Sequence, residues 1–374
     1  MSRVLLAGGG TGGHLYPALA LAEAMQSESH DVEVEFVGAR RGVEATVLPR
    51  RGVPYTLLPM EPVYRSRPWR NWRLVPAATR SFAAIAALFR RYRPQLVVGT
   101  GGYASAPACL WAVAKRVPMA VQEQNALPGA TTRLLARYAR QVHLGFPEAE
   151  KRIRPGRRTR VFALGNPIRP PDTSLNRLAC RESFGLGRSA TVVLVVGGSQ
   201  GARGINEVVI GALEQVAAGR LTRPPGLELL WATGPANYDA LRARLEQIDA
   251  KAWSHLVAYI DDMPRALAAT DIAISRAGAM MTAELLAWGI PSLLVPLPTA
   301  AADHQMRNAR ALEAAGAAVC LEESSLTPDV LWQELSALVG HEGKRARMNQ
   351  AAMRRARPDA ARAIARELLT LVDT

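Results

Sequence analysis

The sequence predicts an α/β protein with two parallel sheets, each in its own domain. Three observations predict it. The chain has 374 residues, enough for two domains at roughly 100–200 residues each. Short β-branched apolar runs alternate with helical stretches of roughly 10–16 residues, the pattern of parallel α/β sheets. A strand–glycine loop–helix unit occurs near the start of each half.

The elements follow in chain order. Val4–Ala7 is a short apolar strand. It enters Gly8-Gly9-Gly10-Thr11-Gly12-Gly13-His14, then a helical pattern through Met25. Pro17 suits an early helical position, where its missing N–H costs nothing. Further strands are expected at Val32–Val37, Leu96–Val98 and Met119–Gln122. The Arg/Pro/Gly-rich stretch Arg152–Arg160, ending at Gly165-Asn166-Pro167, marks the domain boundary, giving domains 1–165 and 166–357. Thr191–Val196 opens the second unit, followed by Gly197-Gly198-Ser199-Gln200-Gly201 and a helix from about Arg203 to Ala218. Leu227–Ala232, Ile272–Ser275 and Ser292–Val295 continue the second sheet. Ala360–Val372, after Pro358, reads as a helix, and periodicity does not say which domain it joins.

Charge is distributed unevenly. Residues 1–165 hold 24 Lys+Arg against 10 Asp+Glu, whereas 166–374 hold 22 of each, so the net +14 lies in the first half. No acidic residue occurs between Glu61 and Glu123. Such asymmetry suggests an anionic partner, a nucleic acid or an acidic membrane surface. The bland reading is an arginine-rich composition, since only four of the 46 basic residues are lysine. Cys109, Cys180 and Cys320 lie far apart, which argues against a disulfide framework and a zinc module. The opening MSRVLLAGGG is too short in apolar residues for a secretory signal, and no run suits a spanning helix. A cytoplasmic protein is expected.

Gly8–Gly13 fits the spacing GxGxxG, with five glycines in six positions. Such a loop presents free N–H groups at the positive end of a helix and suits a phosphate or diphosphate. A nicotinamide site would want an acid closing the next strand, but Val32–Val37 ends in Gly38-Ala39-Arg40-Arg41. The arginines leave an NADP-binding oxidoreductase open. His14 follows the loop and is a candidate general base, or a capping residue. Gly99-Thr100-Gly101-Gly102-Tyr103 is a second glycine loop in the same domain. The carboxamides of Gln122-Glu123-Gln124-Asn125 suit sugar hydroxyls or loop capping equally. In the second half, Ser199 in Gly197–Gly201 repeats the anion-site logic, and Arg169 could counter a phosphate charge. Glu284, in the early turns after Ala279-Met280-Met281, is either a dipole-favoured acid or a carboxylate for two ribose hydroxyls. There is no DxD pair, HExxH or Cys/His cluster to indicate a metal. The segment 64–73 interleaves Tyr64, Trp69 and Trp72 with four arginines, Arg70 and Arg73 among them. Aromatics beside cations suit an anionic bilayer surface, and the alternative is a solvated loop folded onto the core. The Phe82, Ile85, Leu88, Phe89 stripe reads as core.

Together these motifs resemble the MurG family, bacterial transferases that move N-acetylglucosamine from UDP-GlcNAc onto lipid I to complete lipid II for peptidoglycan. The matching stretches are GGGTGGHLYPALALA, GTGGYASAP, QEQNALPGATTR, GNPIR, VVGGSQGARGIN, YIDDM, SRAGAM and HQMRNA, in the family's order from position 8 to about 310. The resemblance implies a GT-B fold, two Rossmann-like domains facing across a cleft, with the closing helix 358–374 returning to the first domain. It implies an inverting transfer to the muramyl 4-hydroxyl, with no cofactor and no metal. The first domain would take lipid I, an undecaprenyl-diphosphate muramyl pentapeptide, and dock peripherally on the cytoplasmic face of the inner membrane. The second would hold UDP-GlcNAc.

Residue by residue, His14 matches the family's proposed base. Thr11, Gly12, Gly13 and Asn125 match positions meeting the transferred sugar. Gly9, Gly10, Thr100, Gly101, Gly102 and Tyr103 lie in loops matched to the acceptor diphosphate. Arg169 and Ser199 match donor-diphosphate contacts, Ile260 the uracil contact, Glu284 the ribose acid and Gln305 a sugar contact. Ala279, Met280 and Met281 complete the donor helix start. The family often has threonine where this chain has Met281, which removes a hydroxyl contact. Trp69, Trp72, Arg70 and Arg73 are assigned to the membrane on composition alone. A related glycolipid glycosyltransferase would share this pattern. An RNA-binding module would explain the charge but neither glycine loop, so no nucleic-acid partner is expected.

Overall fold

The computed structural model describes residues 1–60, 72, 74–198, 201–248 and 250–372. Trp69, Arg70, Arg73 and Ser199 lie outside these described residues. The chain divides into two compact units. The first is Met1–Arg169 with Asp359–Thr374, and the second is Pro170–Pro358.

The first unit is built on a seven-stranded parallel sheet. Its strands are β1 (Ser2–Gly8), β2 (Val32–Ala39), β3 (Tyr55–Leu58), β4 (Leu96–Gly101), β5 (Met119–Glu123), β6 (Gln141–Leu144) and β7 (Arg160–Phe162). The spatial order is β3-β2-β1-β4-β5-β6-β7. Val4 of β1 pairs with Val34 on one side and Leu96 on the other. Alternation along β1 divides its side chains between two cores. Val4 and Leu6 pack with Leu15, Leu19, Ile364 and Leu368. Leu5 and Ala7 pack with Ile85, Leu88 and Ala108 on the other face. A central strand covered on both faces must be apolar throughout, which is why VLLA is a continuous run.

The closing helix Ala360–Leu369 lies in the first unit because its Ile364, Ala365 and Leu368 are buried in that core. Its Arg362 and Arg366 also donate to Glu28 at 3.0 and 2.7 Å. The stretch Arg152–Arg160 is not a linker: Arg160–Phe162 forms the edge strand β7, paired with β6. The first unit instead runs on to Arg169. The buried Asn166 bonds to Gln122 and Gln124, and Arg169 pairs with Glu23.

The second unit holds six parallel strands, β8 (Thr191–Val196), β9 (Leu227–Ala232), β10 (Ser254–Val257), β11 (Ile272–Ser275), β12 (Ser292–Leu294) and β13 (Ala318–Cys320). They are ordered β10-β9-β8-β11-β12-β13. One face packs Val193 and Val195 with Ile205, Val209 and Leu335. Trp231 is fully buried there, its indole N–H donating to Asn206 at 3.0 Å.

In both units the first strand is central and the chain winds outward to one side and then the other. The order reverses between β1 and β4, and between β8 and β11. Such switch points leave a crevice beyond the carboxyl ends of the strands, where ligands of open α/β sheets bind. Both glycine loops of the first unit, and the glycine loop of the second, leave strands at these points. All three cysteines are buried and free. Among the described residues no helix is long and apolar enough to cross a membrane.

Candidate active site

At the first switch point, β1 and β4 shift register between Ala7 and Gly8, and the two loops beyond them interlock around His14. The Thr100 hydroxyl donates to the His14 carbonyl at 2.8 Å. The helix Gly12–Glu28 begins after Thr11, whose side chain makes no cap bond and instead lies 3.1 Å from His14 Nδ1. Gly101 and Gly102 have φ of +97° and +74°, a region that L side chains rarely adopt. A Cβ on Gly101 would stand 2.7 Å from His14 Cδ2, and one on Gly102 would collide with the Gly9 carbonyl. The imidazole therefore rests on a floor that only glycine provides. If Nδ1–H donates to Thr11, Nε2 keeps its lone pair and can accept a proton.

Glu44 was not among the residues singled out from the sequence. It is fully buried beneath the first loop, where both its oxygens accept from Gly10 N–H (2.9 and 3.0 Å) and Oε1 accepts from Ala39 N–H at 2.7 Å. Gly9, Gly38 and Gly42 leave the space its carboxylate fills. The Gly10 N–H is thus turned inward rather than toward a ligand. The donors left at this helix start are the N–H groups of Gly12 and Gly13, which meet no acceptor among the described residues. Tyr103 covers Gly10 from the other side, its ring 3.0 Å from where a Gly10 Cβ would lie.

The Gln122–Asn125 stretch is mostly internal bracing. Gln122, Glu123 and Gln124 are buried. Gln124 donates to the Thr100 carbonyl at 2.7 Å and to Gln122 Oε1, and so ties the second glycine loop to β5. Glu123 accepts from the N–H groups of Asn125 (3.1 Å) and Gly129 (3.0 Å). Loop capping accounts for these three residues, and Asn125 alone remains half-buried at the strand end.

At the second switch point lies a cavity of about 410 Å³, lined by Gly197, Gly201, Met281 and Gln305 among others. The helix Arg203–Ala217 starts there, directly beyond the glycine loop. Gln305 sits in the first turn of the helix His304–Ala314, and its Oε1 accepts from Leu297 N–H at 3.0 Å. That contact fixes the amide and leaves its NH₂ as the group on offer. Ala279 is N1 of the helix Ala279–Ala287 and is buried, while Met280 and Met281 are half-buried. Thr282 does not replace the hydroxyl lost at Met281, because its own bonds back to the carbonyls of Gly278 (3.1 Å) and Ala279 (3.0 Å). Ile260 is buried in the loop after β10.

Glu284 is the most perturbed acid of the second unit. Burial alone pushes its carboxyl up to about 7, with no cation or hydrogen-bond donor offsetting the desolvation. Its carboxylate is half-buried and has no partner among the described residues, so a ligand's hydroxyls would give it hydrogen bonds that the protein does not. Arg169 belongs to the first unit, where it donates to both oxygens of Glu23 at 3.2 and 3.1 Å. Trp72 is 68% exposed. Among the described residues no three His, Cys, Asp or Glu side chains gather into a metal-binding group.

Comparison with known proteins follows the same two units. Residues 4–144 match the glycosyltransferase family 28 N-terminal domain, and residues 192–364 match the glycosyltransferase family 28 C-terminal domain. The chain is 40% identical to the UDP-N-acetylglucosamine–N-acetylmuramyl-(pentapeptide) pyrophosphoryl-undecaprenol N-acetylglucosamine transferase of Moorella thermoacetica, over 100% of both chains. It is 39% identical to the enzyme of that name from Chlorobaculum tepidum, over 99% of each. The crystal structure of Acinetobacter baumannii MurG superposes with a TM-score of 0.77 at 27% identity, covering 99% of this chain and 100% of that one. With this identity along its whole length, and two Rossmann-like units of the GT-B type, the chain belongs to the MurG family of glycosyltransferases.

Proposed function

We propose that this enzyme transfers N-acetylglucosamine from UDP-GlcNAc to the muramyl 4-hydroxyl of lipid I, with inversion, giving lipid II for peptidoglycan synthesis. The observation that carries the proposal is His14, held between two glycine loops at the switch point of the first unit with Nδ1 against Thr11. The printed names of the relatives supply the donor and the acceptor.

In this reading, Nε2 of His14 takes the proton of the attacking hydroxyl. Gly12 and Gly13 offer N–H groups to the transferred sugar or the acceptor diphosphate, with Thr11, Asn125 and Tyr103 around them. Glu284 accepts the two ribose hydroxyls, Gln305 donates to the sugar, and Ile260 lies at the uracil. The leaving diphosphate is neutralised by the glycine loop with Ser199, the helix start at Arg203, and Arg169, without a metal. Arg169 is available for this because its exposed pair with Glu23 is worth only about 0–1 kcal/mol.

The same proposal places the first unit on an anionic membrane surface at the cytoplasmic face. An apolar groove of about 530 Å³ holds Phe89 and Trp111, flanked by Arg90, Arg93 and Lys115. Val117 continues it into a cavity of about 510 Å³ lined by Arg116, Arg137, Arg140, Arg157 and Arg158. None of these five pairs with an acid among the described residues. Trp72 is a further exposed aromatic of the first unit. Apolar surface beside unpaired cations suits lipid headgroups.

The reaction is tested by following labelled sugar from UDP-GlcNAc to a short-chain lipid I analogue in the presence of chelator. UDP-GalNAc and UDP-glucose serve as controls. Transfer confined to UDP-GlcNAc is expected. Transfer that stops in chelator and returns with magnesium would contradict the metal-free part.

A further inference from the structure

The cavity of the second unit contains a cation that none of the assignments above uses. Arg276 follows β11 directly and is only 9% exposed in the cavity wall. Among the described residues one terminal nitrogen makes all its side-chain hydrogen bonds. Nη1 donates to the carbonyls of Val295 (3.1 Å) and Pro296 (3.3 Å) and pairs with the Glu323 carboxylate. Nε and Nη2 meet no acceptor among the described residues. Glu323 in turn lies against the first turn of the helix Arg203–Ala217, where a Cβ on Gly204 would stand 2.5 Å from its Oε1.

These contacts separate holding from binding. Three acceptors on a single nitrogen fix the plane of the guanidinium. The remaining edge, Nε and Nη2, is the fork that matches two phosphate oxygens. Nε and Nη2 are not among the buried unpartnered atoms, so this edge of an otherwise buried side chain is open to the cavity and can meet an anionic ligand. The Glu323 charge stands beside the same helix N-terminus, so it opposes an incoming phosphate while it aims the arginine.

We infer that Arg276 is a phosphate-binding residue of this cavity, taking the diphosphate of a nucleoside diphosphate on its Nε–Nη2 edge while Glu323 and two carbonyls hold it in place. The inference rests on reading this cavity as the donor's nucleotide site. Glu323 then sets the affinity for the diphosphate below what the arginine and the helix would give alone.

The test is calorimetric titration of the full chain with UDP, UMP and uridine, in wild type, Arg276→Gln and Glu323→Gln, with a thermal melt of each. Arg276→Gln is expected to weaken UDP at least tenfold and leave uridine within about twofold. Glu323→Gln is expected to tighten UDP several-fold with uridine unchanged, because it removes the opposing charge and keeps an acceptor for Nη1. Equal losses of UDP and uridine in Arg276→Gln would make the arginine a brace of the Pro296 loop and overturn the inference. If that variant melts early, Glu323→Gln decides: a UDP-to-uridine ratio that is unchanged or lower overturns it. A wild type that binds neither ligand overturns the donor reading itself, and this inference with it.

Discussion

Glu284 and His14 illustrate two ways in which a fold prepares a side chain. The chain surrounds His14 with specific contacts, a threonine oxygen on one nitrogen and glycine backbone beneath the ring. For Glu284 it supplies only burial, which lifts the carboxyl from 4.5 to about 7. The sign of the consequence follows. A carboxyl with a raised folded-state value contributes fully at pH below 4.5, and that contribution is lost as pH rises through about 7. Above that, the ionised group costs stability of the order of 3 kcal/mol. Glu284→Gln should therefore melt higher than wild type at pH 8 and close to it at pH 5, while binding UDP more weakly at pH 8 with the gap closing towards pH 5. In wild type, UDP affinity should fall as pH drops below 7, since the ribose hydroxyls need the ionised form, and this slope should vanish in the glutamine variant. A variant that gains no stability at pH 8 would mean that the carboxylate is already solvated or paired.

At the scale of elements, both sites are strand–loop–helix junctions whose loops must pass close to one another. Gly101 is the sharpest case, since a side chain there would meet both a left-handed backbone and the His14 ring. Gly101→Ala should cost roughly 1–3 kcal/mol in the first unit and slow transfer more than tenfold, while UDP binding to the second unit is unchanged. Unimpaired transfer would show that His14 does not need this floor. The central strands were legible in the sequence because burial on both faces makes them uninterrupted apolar runs. Thr191–Val196, Leu227–Ala232 and Ile272–Ser275 are read and observed with the same bounds. The overlooked strands β3, β6, β7, β10 and β13 are short. In β6 the fully buried Gln141 and His143 interrupt the apolar signal, and in β7 an exposed arginine opens a three-residue edge. The glycine loops announce themselves by composition. Glu44 and the Arg276–Glu323 pair do not, because each is defined by a partner 34 or 47 residues away.

At the scale of the whole molecule, the uneven charge of the sequence becomes local. In the second unit several arginines pair with two acids each, as with Arg244 on Glu207 and Glu214, and Arg310 on Glu313 and Glu322. In the first unit, five arginines around one cavity have no acidic partner among the described residues. Each cation near an anionic bilayer is worth about 1 kcal/mol, so reversing Arg157 and Arg158 to glutamate should cut co-sedimentation with anionic vesicles at least tenfold. The effect should shrink as salt rises, and UDP binding should be unaffected. Sedimentation equal to wild type would remove the Arg157–Arg158 cavity from the membrane contact, and Trp72 would be the next residue to test.

The central claim is that His14 acts on the acceptor hydroxyl and not on the donor. The most direct measurement is the rate of transfer to a lipid I analogue by His14→Ala, beside its affinity for UDP-GlcNAc by titration. The account predicts a turnover lower by roughly 10²-fold or more with donor affinity within about twofold of wild type. A loss of donor binding as large as the loss of rate would contradict it and make His14 a donor ligand, and turnover near wild type would remove the base altogether.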